Sequence, residues 1–215
     1  MLDIKRFMLG PVQTNAYLAA DVATHQAVAI DPAWDGKRLA QEAGSRGWTL
    51  TGIWITHAHF DHFGGAAGLA ATTDPPLSIA LHPDDLPLWN SGGGAGFFGL
   101  RIDEPPAPVI LLSNGMTLSV GEIAFEVRHC PGHSPGHVLF VCGAEKAAFV
   151  GDVIFKNGIG RSDLPGGDER ELLDNIQRQV LSLQDEVRLF SGHGAATTVG
   201  AERRMNPFLK GGSLP

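Results

Sequence analysis

The sequence predicts an α/β protein, and three observations lead there. Short runs rich in Val, Ile, Ala and Phe recur along the whole chain, bounded by Gly, Pro and Asp. A few longer stretches between those runs carry apolar residues at helical spacing. No internal repeat, charge block or long linker interrupts the alternation, and 215 residues suffice for one large domain or two small ones.

In chain order, the first third predicts strands at "NAYLAA", "QAVAID" and "GIWIT", with a helix at "DGKRLAQEAGSRG" between the last two. The glycines after "HAHFDHF" let the chain turn into a short Ala-rich helix. A second set of strands follows at "LSIALHP", "TLSV", "EIAFEVRHC", "HVLFVC", "KAAFVGD" and "EVRLFSGH". Between the first and second of these, glycine-rich "NSGGGAGFFGL" (Asn90–Leu100) reads as a long loop. Phe97 and Phe98 would make it a mobile lid with an apolar tip. The clearest helix runs from Asp168 to about Leu183, where Leu172, Ile176, Val180 and Leu183 form a stripe and Asp168 with Glu171 a capping box. A shorter helix is expected near Thr198–Met205, and "NPFLKGG" closes the chain.

Composition narrows the function classes. A net charge of -7 argues against nucleic-acid binding, which needs clustered Lys and Arg. No apolar run approaches the roughly 20 residues of a membrane span, and no signal peptide opens the chain. Cys130 and Cys142 form no C-x-x-C pair, and Cys130 reads as a small hydrophobe ending a strand. A cytoplasmic protein acting on small molecules, without nucleic acid or membrane as partner, is the expectation.

The ends of the predicted strands carry the chemistry. "GIWIT" runs into His57, His59, Asp61 and His62; "IAFEVRHC" into His133; "KAAFV" into Asp152; "EVRLFSG" into His193. Past the carboxyl ends of strands is where sheet proteins commonly place functional groups. Imidazole and carboxylate together suit zinc, iron and related ions. Five histidines and two aspartates are too many for one tetrahedral ion and enough for two.

"HAHFDH" is the H-x-H-x-D-H hallmark, and with "GPVQTNAYLA", "IDPA", "PGHSPGH", "GD" and "SGHG" the chain resembles the metallo-β-lactamase superfamily. "IGRSDLPGGD" and "ERRMNPFL" are similar to its glyoxalase II-like branch, particularly the short single-domain bacterial members. The resemblance implies one domain over residues 1–215 with an αββα four-layer sandwich. It implies two divalent ions, zinc expected and iron or manganese the other candidates. His57, His59 and His133 would hold the first, Asp61, His62 and His193 the second, and Asp152 would bridge them. Asp61 and Asp152 are the catalytic candidates, Asp61 orienting an attacking hydroxide that bridges the ions.

The activity implied is hydrolysis of a small-molecule thioester, such as S-lactoylglutathione, whose leaving thiol has a pKa of about 8.5 and needs no strong general acid. Around the centre, Asp31 is a candidate to orient an imidazole, and Lys156 is the nearest cation for a substrate carboxylate. Arg161 is expected to pair with Asp163 and fix their loop. Full-length glyoxalase II grips glutathione with an added helical domain and tyrosines. Here only a short stretch follows His193, and the sole tyrosine, Tyr17, lies in an N-terminal strand. The alternative is a mononuclear-iron persulfide dioxygenase, a sister branch sharing "GRSD" that would use His57, His133 and Asp152. That branch follows its last histidine with Asp-Tyr, whereas Gly194 and Ala195 follow His193 here, which favours the hydrolase. Lactonase, β-lactamase and a non-catalytic metal-binding domain rank below both.

Overall fold

The computed structural model describes residues 1–209; the rest of the closing "NPFLKGG" segment, from residue 210 on, lies outside the described residues. Two six-stranded sheets lie face to face. The first contains β1 (Leu2–Leu9), β2 (Thr14–Asp21), β3 (Gln26–Ile30), β4 (Thr49–Trp54), β5 (Ile79–Leu81) and β6 (Ile110–Leu111), hydrogen-bonded in that order. The second begins with β7 (Thr117–Val120), β8 (Ile123–His129), β9 (Val138–Cys142) and β10 (Ala147–Gly151). A small hairpin of β11 (Ile154–Phe155) and β12 (Gly158–Ile159) intervenes before β13 (Arg188–Ser191) and β14 (Thr197–Thr198) complete it. β10 and β13 run parallel, so the chain must cross over between them.

The helices are α1 (Gly36–Ser45), α2 (Phe60–Phe63), α3 (Ala66–Ala70), α4 (Leu86–Asn90), α5 (Glu169–Asn175) and α6 (Val199–Met205). Alternation along each strand assigns the layers. Tyr17, Val28, Ile30 and Trp54 face Phe125, Phe140 and Phe149 between the sheets, with Trp54 5.3 Å from Phe125 and 5.2 Å from Phe140. Leu18, Ala29 and Ile53 point the other way, onto Leu39 and Ala43 of α1 and Leu69 of α3. Leu139, Val141 and Ala148 meet Leu172 of α5, Ile176, Val180 and Val199 of α6 on the far side. The chain therefore adopts the αββα sandwich. β2, covered on both faces, is buried at every position.

The short elements β6, β11, β12, β14 and α4 were not expected from the sequence, and three further differences have clear causes. β1 escaped the sequence reading because Asp3, Lys5 and Arg6 break its apolar run, a composition suited to an edge strand paired only with β2. The helix expected to Leu183 is α5 followed by a π turn over Ile176–Val180, which carries Ile176 and Val180 into the core. Of its capping box only half forms. Asp168 accepts from the Glu171 N–H at 2.9 Å, while its own N–H donates to the Gly132 carbonyl at 2.8 Å. The glycine-rich stretch contains a short helical turn, Ala95–Phe98, and is anchored by the Phe60 N–H donating to the Gly93 carbonyl at 3.0 Å. Gly93, at φ +63, has no room for a Cβ, which would collide with the Phe60 nitrogen.

Candidate metal centre

Loops past β4, β8, β10 and β13 converge at one edge of the sandwich, and all seven expected donors meet there. His57 Nε2 and His59 Nδ1 lie 3.1 and 2.9 Å from His133 Nε2. Beside this trio, His193 Nε2 sits 3.3 Å from Asp61 Oδ2, and His62 Nε2 3.5 Å from the same oxygen. Asp152 stands between the two sets: Oδ1 is 3.4 Å from His62 Nε2, and Oδ2 is 3.4 Å from His193 Nε2 and 3.8 Å from His133 Nε2. Gly192 makes this approach possible, since a Cβ there would collide with the Asp152 carboxylate.

Groups behind the donors aim them. His133 Nδ1 donates to the Arg161 carbonyl at 2.7 Å, and His62 Nδ1 donates to Asp31 Oδ2 at 2.9 Å. Thr56 Oγ1 donates to Asp31 Oδ2 at 2.7 Å, so it accepts from His57 Nδ1 at 3.1 Å. In each ring the outer nitrogen is held as an N–H donor, so Nε2 is the atom each ring would turn toward a cation at the centre. Asp31, with φ +48, thus serves two imidazoles, and its Oδ1 also accepts the Thr56 N–H at 2.8 Å.

Sequence reasoning missed the supports from Thr14 and Asp85 and left His137, read as structural, without a partner. Thr14 Oγ1 donates to Asp61 Oδ2 at 2.7 Å from the start of β2. Buried His137 accepts the Asp152 N–H at Nε2, 3.1 Å, and stacks on His57. Asp85, fully buried, accepts from the N–H of Ala58 (2.8 Å), the N–H of Gly136 (2.6 Å) and Ser134 Oγ (2.9 Å). Its carboxylate therefore ties the His57–His59 loop to the His133 loop. Nothing in "HPDD" announces this, because the partners lie far away in sequence.

The protonation pattern divides the centre. Burial, reinforced by the neighbouring imidazoles, pushes His57 well below the usual histidine range and His59 down to about 3. Burial also lowers His133, against the pull of Asp152. For His193, burial opposes protonation, yet Asp152 and Asp61 raise it to about 9. His62 is likewise raised despite burial, by Asp152, Asp61 and Asp31. Burial would raise Asp61 and Asp152, but the facing imidazoles hold both low, Asp61 at about 2.

These residues fit divalent cations. The inward nitrogens of His57 and His59 lie 3.1 and 2.9 Å from His133 Nε2, and lone pairs brought this close would repel unless a cation stood among them. His62 Nε2 and Asp152 Oδ1 are buried without a hydrogen-bond partner among the described residues. His57–His59–His133 and Asp61–His62–His193 each cluster closely enough to hold an ion. A third cluster, His82, Asp84 and His129, differs. The rings of His82 and His129 stack at 4.0 Å and 10°, so their in-plane lone pairs do not converge.

Over the centre opens a cavity of about 740 Å³, with His59, Asp61, His133, Asp152 and His193 in its floor. Phe97, Phe98 and Arg161 line it. Arg161 binds Asp163 through Nε and Nη2 at 2.7 and 2.8 Å. Lys156 is exposed in the β11–β12 turn and is not part of the cavity wall.

A sandwich with this donor set at its edge defines a class, and the sequence profile of the Metallo-beta-lactamase superfamily matches residues 9–193. The chain belongs to that superfamily. It is 36% identical to the hydroxyacylglutathione hydrolase GloC of Haemophilus influenzae, over 97% of this chain and 98% of that one. Among solved structures it resembles TTHA1623 in a di-iron-bound form (43% identity, TM-score 0.87, covering 95% of this chain and all of that one). It also resembles the BLEG-1 B3 metallo-beta-lactamase (36% identity, TM-score 0.89, 97% of this chain and all of that one).

Proposed function

We propose that the chain is a binuclear metallohydrolase that cleaves thioesters as glyoxalase II does, on S-lactoylglutathione or a related acyl-thiol. One observation carries this reading: two ligand sets share Asp152 on the floor of an open cavity. His57, His59 and His133 would hold one ion, and Asp61, His62 and His193 the other. Bound there, two divalent ions supply Lewis acidity toward the scissile carbonyl and make a water acidic enough to attack at neutral pH.

The chain's own residues do the rest. Asp61, fixed by Thr14, has an oxygen at the cavity floor and orients the attacking water. Asp31, Thr56 and the Arg161 carbonyl keep three imidazoles in the tautomer that presents Nε2 inward. Phe60 and Phe98, 5.3 Å apart at the wall, exclude bulk water from the reacting carbonyl. The departing thiolate is stable enough to leave without a dedicated proton donor. The name of GloC and the di-iron form of TTHA1623 support the activity and the ion count respectively.

The test is a panel of S-lactoylglutathione, simple acyl thioesters, a β-lactam and glutathione persulfide, run on protein of measured metal content. Thioester hydrolysis above the other reactions is expected. Oxygen uptake on the persulfide by protein holding one iron would replace this reading with the dioxygenase.

A further inference from the structure

The wall of the cavity differs in chemistry from its floor. Above the centre it is built by Val12, Phe60, Leu88, Phe97, Phe98 and Leu164. Phe97 is 85% exposed and Phe98 56%, on a turn held between Gly94 and Gly99, both at positive φ. Two exposed aromatics on the rim of a cavity are apolar surface awaiting a partner. Phe98 already leans on Phe60, and Phe60 on Trp34 at 6.4 Å, so the aromatic surface runs from the rim into the core.

Charge recognition is scarce by contrast. A glutathione arm brings two carboxylates and an ammonium group. Apart from the centre, Arg161 is the one cation on the wall among the described residues, and two of its three nitrogens are committed to Asp163. Lys156 is off the wall, and Tyr17 is buried with its hydroxyl donating to the Ser191 carbonyl at 2.6 Å. Apart from the centre, the polar side chains on the wall are Ser91 and Arg161, few for a peptide beside so much apolar surface.

We infer that this wall receives an uncharged apolar arm of the thioester, an alkyl or aryl group, and that Phe97 and Phe98 select for it. The inference rests on the thioesterase reading and names its substrate class. Shape and chemistry fix the arm as apolar; whether it is the acyl or the thiol side is for the experiment.

Four substrates separate these cases on metal-loaded protein: acetyl and octanoyl thioesters of N-acetylcysteamine, the acetyl thioester of octanethiol, and S-lactoylglutathione. An octyl arm on one side should raise kcat/KM by roughly tenfold or more over acetyl-N-acetylcysteamine, and the better of the two octyl substrates identifies the side. In a Phe97→Ser/Phe98→Ser variant the octyl-to-acetyl ratio should collapse toward one. S-lactoylglutathione outrunning both octyl substrates, or a ratio that survives the double substitution, would overturn the inference and leave the thioesterase reading standing. Should no thioester turn over, that reading falls, and calorimetric binding of octanoate against acetate decides the wall separately. Tighter octanoate binding that the double variant loses supports an apolar subsite; equal binding ends it.

Discussion

The two halves of the centre are built from similar parts and behave differently. His57, His59 and His133 form a neutral set, buried, with the first two 3.1 and 2.9 Å from His133 Nε2, and kept unprotonated by burial. Asp61, His62 and His193 form a charged set in which carboxylates hold imidazoliums against burial. An ion in the first half would meet no competing proton and keep more of its positive charge. One in the second would displace protons and be better neutralised. Asp152 stands within 3.8 Å of donors from both, and Asp31 supports both, through Thr56 on one side and His62 on the other.

The comparison breaks most completely at Asp152. Asp152→Ala should empty both halves and lower kcat/KM by on the order of a thousandfold, with metal content falling alongside activity. Wild-type turnover in a folded variant would remove the bridging role. Next in size is Asp85→Ala, which strands two buried N–H groups and a hydroxyl. It should cost about 3 kcal/mol in denaturant unfolding and loosen the three-histidine half in particular. Asp31→Asn puts an NH2 where one carboxylate oxygen accepts, and it removes the charge facing His62. It keeps either the Oδ2 bonds from His62 and the Thr56 hydroxyl or the Oδ1 bond from the Thr56 N–H. Metal affinity should fall roughly 10–100-fold, measured by competition with a chelator.

Acid should separate the halves. His193 holds its proton up to about 9, whereas His59 stays neutral down to about 3. Lowering the pH from about 8 to about 5 therefore favours protons over metal in the carboxylate half first. Metal content after dialysis should step from two equivalents to one before reaching none; a single joint loss would erase the distinction. The smallest effect is expected for Thr14→Val, which removes one hydrogen bond to Asp61. A cost of about 1 kcal/mol, or roughly fivefold in kcat/KM, is the expectation.

How much of this could be read from the chain follows from the range of the interactions. The strands before the donors were legible because buried runs bounded by Gly and Asp are local signals. The donors were legible because "HAHFDH" concentrates four of them, and His133, Asp152 and His193 sit at equally plain strand ends. Edge strand β1 was hidden by its charges, and the π turn by a stripe that an ordinary helix would also satisfy. Asp85 and Thr14 were invisible for another reason. Each acts on a residue more than twenty positions away, and nothing local distinguishes them from turn residues. Lys156 lies four residues from Asp152 in sequence, yet its side chain is exposed and does not line the cavity.

Whether two ions act together is read from a metal titration of the stripped protein, with thioester hydrolysis followed as zinc, manganese or iron is added. Activity should rise with the second equivalent and saturate at two per chain. Full activity at one equivalent would mean that a single ion suffices.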